Sequence, residues 1–195
     1  MSNPAQTRKR ILDGAVRAVA RHGISKLGMI DVSELAGVSR GTLYRYFPTK
    51  DALLIALGRF EVARFWERVI HSVNETSDGD ERVRVMLEQT ILHMHEHEAL
   101  RRLLNTDPAF VMVSLRSLFP TIRDELHHVL APYLEQAPAL ANSEVDAKQF
   151  TDWMTRFLIS MYLFEDPDPQ KMVDGVTAMY RTLISPQKSP PLSLL

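Results

Sequence analysis

The 195-residue chain is 45% hydrophobic and 24% charged, the composition of a globular protein long enough to bury a core. It has no cysteine, which excludes disulfide staples, thiol redox sensing and cysteine-ligated metal. No apolar run approaches the roughly 18–20 residues of a membrane helix, and the amino-terminal stretch lacks a signal peptide's pattern, so a cytoplasmic location is expected. The net charge of −1 hides an asymmetry: residues 1–50 hold nine Lys/Arg against three Asp/Glu, residues 51–195 fourteen against twenty-one. Such a split points to a basic unit facing a polyanion and an acidic remainder with another task.

Apolar residues recur at spacings of three and four along the whole chain, and strand signals are nearly absent, so the expected class is all-α with about nine helices. The first helix starts near Pro4–Ala5, carries the stripe Ile11, Leu12, Ala15, Val16, Val19 and Ala20, and stops at Gly23. A short helix follows over Met29–Ala36. Gly37 breaks it, Ser39 is a good N-cap, and a second short helix runs over Arg40–Phe47 until Pro48. Thr49 caps a long helix from Lys50 to about Asn74. Beyond "NETSDGD", helices are expected over 81–104 and 109–136, with Asp107–Pro108 starting the latter and Pro120 either kinking it or dividing it. Two more, about 143–164 and 168–185, precede the tail "SPQKSPPLSLL". The expected division is a basic head (1–50), an acidic helical domain (51–187) and a flexible tail (188–195).

Two short helices joined by a tight Gly-Val-Ser turn make a helix-turn-helix, whose second helix enters the DNA major groove. Each oddity of "AGVSRGTLYRYFPTK" (36–50) then has a reason. Gly37 permits the turn. Val38, Leu43 and Phe47 fill the small core. Ser39 caps the recognition helix and can meet a phosphate. Arg40 stands on the first turn, where base edges are approached, and Gly41 allows close approach. Thr42, Tyr44 and Tyr46 offer hydroxyls, Arg45 a second cation, and Lys50 a backbone-phosphate contact. Tyr44 and Tyr46 cannot both be core, because positions two apart face different ways on a helix.

The run "LAGVSRGTLYRYFPTKDALL" resembles the DNA-binding segment of TetR-family transcriptional regulators. The family pattern A-G-V-S-x-G-T-[LF]-Y-x-[YH]-F-x-x-K is met by Ala36, Gly37, Val38, Ser39, Gly41, Thr42, Leu43, Tyr44, Tyr46, Phe47 and Lys50 without a gap. The upstream "TRKRILDGAVRAVARHG" looks like the family's first helix, so the likeness covers about residues 7–57. Gly28 departs from a common Thr cap, and Val32–Ser33 from a common Ile-Ala. The resemblance implies DNA contact by Ser39, Arg40, Gly41, Thr42, Tyr44, Arg45, Tyr46 and Lys50, a helical ligand-binding domain, and a homodimer through a four-helix bundle of the last two long helices.

Apolar faces support the bundle independently. Phe150, Trp153, Met154, Phe157, Leu158, Met161 and Tyr162 form one, and Met172, Val173, Val176, Met179, Tyr180 and Leu183 another at heptad-like spacing. Faces this broad suit both a core side and a partner side. The interface set is Phe150, Trp153, Met154, Phe157, Met161, Met172, Val176, Met179 and Leu183. Met86, Met94, His93, His97, Phe110, Arg116 and Phe119 read as core taken singly. The resemblance makes them candidates for the wall of a pocket for an apolar effector.

"HMHEHE" (93–98) places His93 and His97 four apart, but the ligand set is incomplete for zinc and HExxH is absent, so no metal or cofactor is assigned. Nothing arranges His93, His97, Glu96 and Asp124 as a nucleophile–base pair, and no enzyme activity is expected. The expected function is a ligand-responsive transcriptional regulator, a dimeric repressor bound to double-stranded operator DNA and released by a small effector. The alternatives are an effector-independent DNA-binding dimer and, more remotely, a helical-bundle enzyme.

Overall fold

The computed structural model describes residues 3–76, 79–135, 137, 140, 146–164 and 166–184, so the tail 188–195 lies outside it. Regular structure among these residues is α-helical throughout, in nine helices: α1 (Pro4–His22), α2 (Met29–Ala36), α3 (Arg40–Tyr46), α4 (Lys50–Asn74), α5 (Gly79–Glu96), α6 (Glu98–Thr106), α7 (Pro108–Leu134), α8 (Ala147–Leu163) and α9 (Pro169–Ile184).

Local chemistry accounts for the ends. The Asn3 side chain accepts the Ala5 N–H at 3.0 Å with Pro4 at the first helical position, and Gly23 (φ 72°) stops α1. Gly37 adopts the left-handed conformation (φ 62°, ψ 40°) that closes α2, which a side chain would strain. The Ser39 hydroxyl accepts the Thr42 N–H at 3.1 Å, and Thr49 does the same for Ala52 at 3.1 Å. α2 begins at Gly28 with no side-chain cap.

Two expectations change. The segment 81–104 is not one helix: α5 ends at Glu96, and His97 starts α6 by accepting the Leu100 N–H on Nδ1 at 3.0 Å. No glycine or proline marks that break. Pro120 does not divide α7, which runs through both Pro120 and Pro132. The residues four places earlier, Arg116 and His128, are exposed, so water can take the carbonyls that each proline leaves without a donor.

The chain packs as two units. The first takes the residues up to Glu67 together with Leu92–Phe119. Its core is Ile11, Leu12, Ala15, Val19, Leu27, Val32, Leu43, Phe47, Leu53, Leu57 and, from α6, Ala99. Within it α1 lies against α2 and α6. The α1–α2 crossing is very close, because a Cβ on Gly14 would meet the Ala36 backbone nitrogen and Cβ at 2.8 Å. The turn after α1 is tied down by Ser25, whose hydroxyl donates to Asp107 at 3.1 Å.

The second unit takes Arg68–Ile91 and the residues from Pro120 onward. Its buried side chains include Met86, Leu87, Leu126, Leu130, Leu134, Leu158, Met161, Val173 and Tyr180. Thr151, Thr155 and Thr177 are buried too, each hydroxyl donating to the carbonyl four residues back. Arg84 joins α5 to α9 through Asp174 at 2.7 Å, and the Arg82 guanidinium lies 5.0 Å from the Tyr133 ring.

Gly14→Ala should be costly, because the added methyl would press on backbone rather than on a side chain that can swing away. The expected loss is about 1–3 kcal/mol of unfolding free energy, read from urea denaturation.

Candidate nucleic-acid interface

The recognition helix α3 has seven residues, too few to stand alone, so its core residues and flanks must fix it. Leu43 and Phe47 are buried and Tyr46 packs partly on the same core, leaving Arg40, Gly41, Tyr44 and Arg45 on the outer surface. Tyr44 is 48% exposed. The two tyrosines thus divide as the helical period requires. Tyr46 acts partly as a platform, with the Arg45 guanidinium 5.7 Å from its ring centroid. Gly41 meets nothing within 4 Å where a Cβ would stand, so internal packing makes no demand for glycine there. The space lies outside, where an incoming surface would use it.

Two residues of the expected contact set have local duties. The Ser39 hydroxyl is occupied by the Thr42 N–H and lies 2.9 Å from the Thr42 hydroxyl. The Lys50 ammonium donates to the Ile24 carbonyl at 2.7 Å, which leaves two of its three N–H donors for a phosphate.

Sequence reasoning missed what holds the turn. Arg10 donates to the carbonyls of Ala36 (3.2 Å) and Gly37 (2.7 Å), and Arg17 donates to the Leu35 carbonyl at 2.7 Å. Two guanidiniums from α1 therefore satisfy the carboxy-terminal carbonyls of α2, where the helix dipole favours cations. The available signal was their spacing of seven, which puts both on one face of α1.

The residues considered for an effector wall divide between the units. Met86 is fully buried in the second unit. His93, Met94, His97, Phe110 and Phe119 are partly buried in the first, where Arg116 is exposed. His93 stacks edge-on to His97 (4.8 Å) and lies 5.1 Å from the Phe65 ring. His97 uses its Nδ1 lone pair for the Leu100 N–H, so the ring proton rests on Nε2 and points to the Glu61 carboxylate. Arg64 reaches the same carboxylate at 3.3 Å and Asp13 of α1 at 3.5 Å. Burial pushes the Glu61 carboxyl up. The hydrogen bond from His97 and the Arg64 guanidinium beside the carboxylate outweigh burial and hold it below its ordinary value of 4.5. Among the described residues, no group of three or more metal-ligating side chains is assembled. The buried indole N–H of Trp66 has no acceptor among them.

On α8 the inner row is Thr151, Thr155, Leu158 and Met161. Met161, counted above with the partner-facing residues, is therefore enclosed in its own protomer, because it falls three places after Leu158 on the same face. Phe150, Met154 and Phe157 are half-buried, and Trp153 is 50% exposed. On α9, Met172 and Val176 are half-buried and Met179 is 72% exposed, while the Leu183 side chain lies outside the described residues.

Residues 11–57, which span α1 to the first part of α4, match the family model of bacterial regulatory proteins, tetR family. Over this segment the chain is similar to TetR-family transcriptional regulators. It is 27% identical to an uncharacterised HTH-type transcriptional regulator of Mycobacterium tuberculosis, over 82% of this chain and 76% of that protein. The TetR family repressor AlkX of Dietzia sp. shares its fold, with TM-score 0.70, 17% identity and coverage of 94% of this chain and 98% of the other. So does FadR of Bacillus subtilis in complex with stearoyl-CoA, with TM-score 0.63, 17% identity and coverage of 91% and 97%.

Two outcomes are expected from this geometry. Arg10→Ala should lower unfolding free energy by about 1 kcal/mol. Amide exchange in α3 should quicken more than in α4. Glu61→Gln should remove an acid-dependent part of stability. A carboxyl depressed on folding stabilises fully above its unfolded value, near 4.5, and ceases to as pH falls through its lower folded value. The gap between wild type and Glu61→Gln in urea unfolding should thus be widest near neutrality and close in acid.

Proposed function

We propose that the chain is a homodimeric, ligand-responsive repressor that holds a palindromic operator and leaves it when a small apolar effector binds. The carrying observation is the outer face of α3, where Arg40, Tyr44 and Arg45 project from a helix whose other side is locked into the core. On this reading residues 1–50 read DNA in the cytoplasm, and residues 51–187 dimerise and bind the effector. The exposed apolar side chains Trp153 and Met179, with Met172 and Val176 beside the latter, support a partner face on α8 and α9. Two recognition helices would enter major grooves about 34 Å apart, or a multiple of that. His93, Met94, His97, Phe110, Arg116 and Phe119 of the first unit remain the candidate effector wall, and the unpaired Trp66 N–H suits an effector oxygen. FadR's complex with stearoyl-CoA makes acyl chains the first effector class to try. Effector and operator must weaken each other's binding by the same factor.

The test is titration of the protein's own upstream region across salt. Arg40→Ala should cost about 1–3 kcal/mol and relax base choice at one position per half-site. Lys50→Ala should weaken all sequences alike and lower the slope of log K on log salt by about 0.9 per subunit. Acyl-CoAs of graded chain length should release the wild-type complex. Unchanged binding by both variants would overturn the assignment of the DNA contacts, and an absence of release by any acyl-CoA would overturn the effector class.

A further inference from the structure

The basic charge of the first fifty residues has two fates in the structure. Arg10, Arg17 and Lys50 donate to backbone carbonyls within the fold. Arg8 does not. It is exposed, and no carboxylate or carbonyl among the described residues accepts from it. Its guanidinium carbon instead lies 5.5 Å from the centroid of the Phe47 ring, and Phe47 is the buried residue that ends the recognition helix.

That placement has a chemical consequence. A cation–π contact seats the guanidinium's charge on a ring without supplying hydrogen-bond acceptors, so the five N–H donors are left to be satisfied elsewhere. The side chain is held in place, yet its hydrogen-bonding edge stays unsatisfied. Arg45 is set likewise over Tyr46, the neighbouring residue. Two guanidiniums from different helices thus flank the carboxy end of α3, one carried by the recognition helix and one by α1. A cation on α1 stands beside the recognition helix rather than on it, which suits the sugar–phosphate backbone and not base edges.

We propose that Arg8 is a further DNA contact, a guanidinium pre-ordered on Phe47 that binds a backbone phosphate of the duplex beside the recognition helix. The proposal rests on the DNA-binding reading above and adds a contact from outside the helix-turn-helix. A planar fork with free in-plane donors matches phosphate geometry better than an ammonium does. The contact carries no sequence information, so it should act on any duplex.

The experiment needs no operator. Wild type, Arg8→Ala, Arg8→Gln and Arg8→Lys are titrated against a random-sequence duplex and the upstream region from low to moderate salt, with thermal unfolding of each protein alone. Arg8→Ala should bind both duplexes more weakly by the same factor and lower the salt slope by about 0.9 per subunit. Arg8→Lys should recover the slope but not the full affinity. Arg8→Gln keeps a polar chain over Phe47 without the charge, so it decides the matter if Arg8→Ala unfolds early. A folded Arg8→Gln or Arg8→Ala with the wild-type slope would overturn the proposal and leave the repressor reading intact. A wild type without salt-dependent binding to any duplex would overturn both.

Discussion

The placement of α3 depends on how α2 ends. A helix leaves carbonyls unsatisfied at its carboxy terminus, and here the next residues must turn at once into the recognition helix. Gly37 supplies the left-handed conformation, Arg10 and Arg17 supply the donors, and Gly14 lets α1 come close enough to deliver them. These features depend on one another. A bulkier residue at position 14 would move α1 away from the carbonyls that its arginines reach. A turn without those donors would leave a seven-residue helix fixed only by Leu43, Phe47 and part of Tyr46.

This arrangement changes the meaning of the head's charge. The excess of Lys/Arg over Asp/Glu in residues 1–50 reads as a footprint for a polyanion, yet part of it is structural. Arg10 and Arg17 act as donors inside the fold, and Lys50 divides its ammonium between the Ile24 carbonyl and the outside. Counting cations therefore overstates the phosphate contacts that the head can make. Exposure and partner chemistry sort them better: Arg40 and Arg45 on α3 and Arg8 and Arg21 on α1 are exposed guanidiniums not committed to a backbone carbonyl.

Much of the fold was legible because it is local. Helical periods, the caps at Ser39 and Thr49, the breaks at Gly23 and Gly37, and the opposite roles of Tyr44 and Tyr46 follow from neighbours within a turn or two. What was not legible needs partners distant in sequence. The break at His97 lacks glycine and proline; its imidazole caps α6 through one nitrogen and is held by Glu61, thirty-six positions away, through the other. Met161 fits a broad apolar face as well as Met154 does, and only packing shows that it points inward. The guanidinium–carbonyl ties of Arg10 and Arg17 span 27 and 18 positions, beyond any local pattern.

The same long-range contacts show where packing ends. The head's core does not close at residue 50, for Leu53, Leu57 and Ala99 belong to it, and α6 lies against α1. Polar ties run alongside, from His97 through Glu61 and Arg64 to Asp13, and from Asp107 to Ser25. Arg64 and Asp13 are well solvated at 3.5 Å, so their pairing contributes little energy by itself. The weight lies in the packing: displacing α6 disturbs Ala99, hence the core on which α1 rests, hence the donors that end α2. Because close-packed cores shift between discrete arrangements instead of deforming smoothly, a small movement of α6 has a direct mechanical route to the recognition helix.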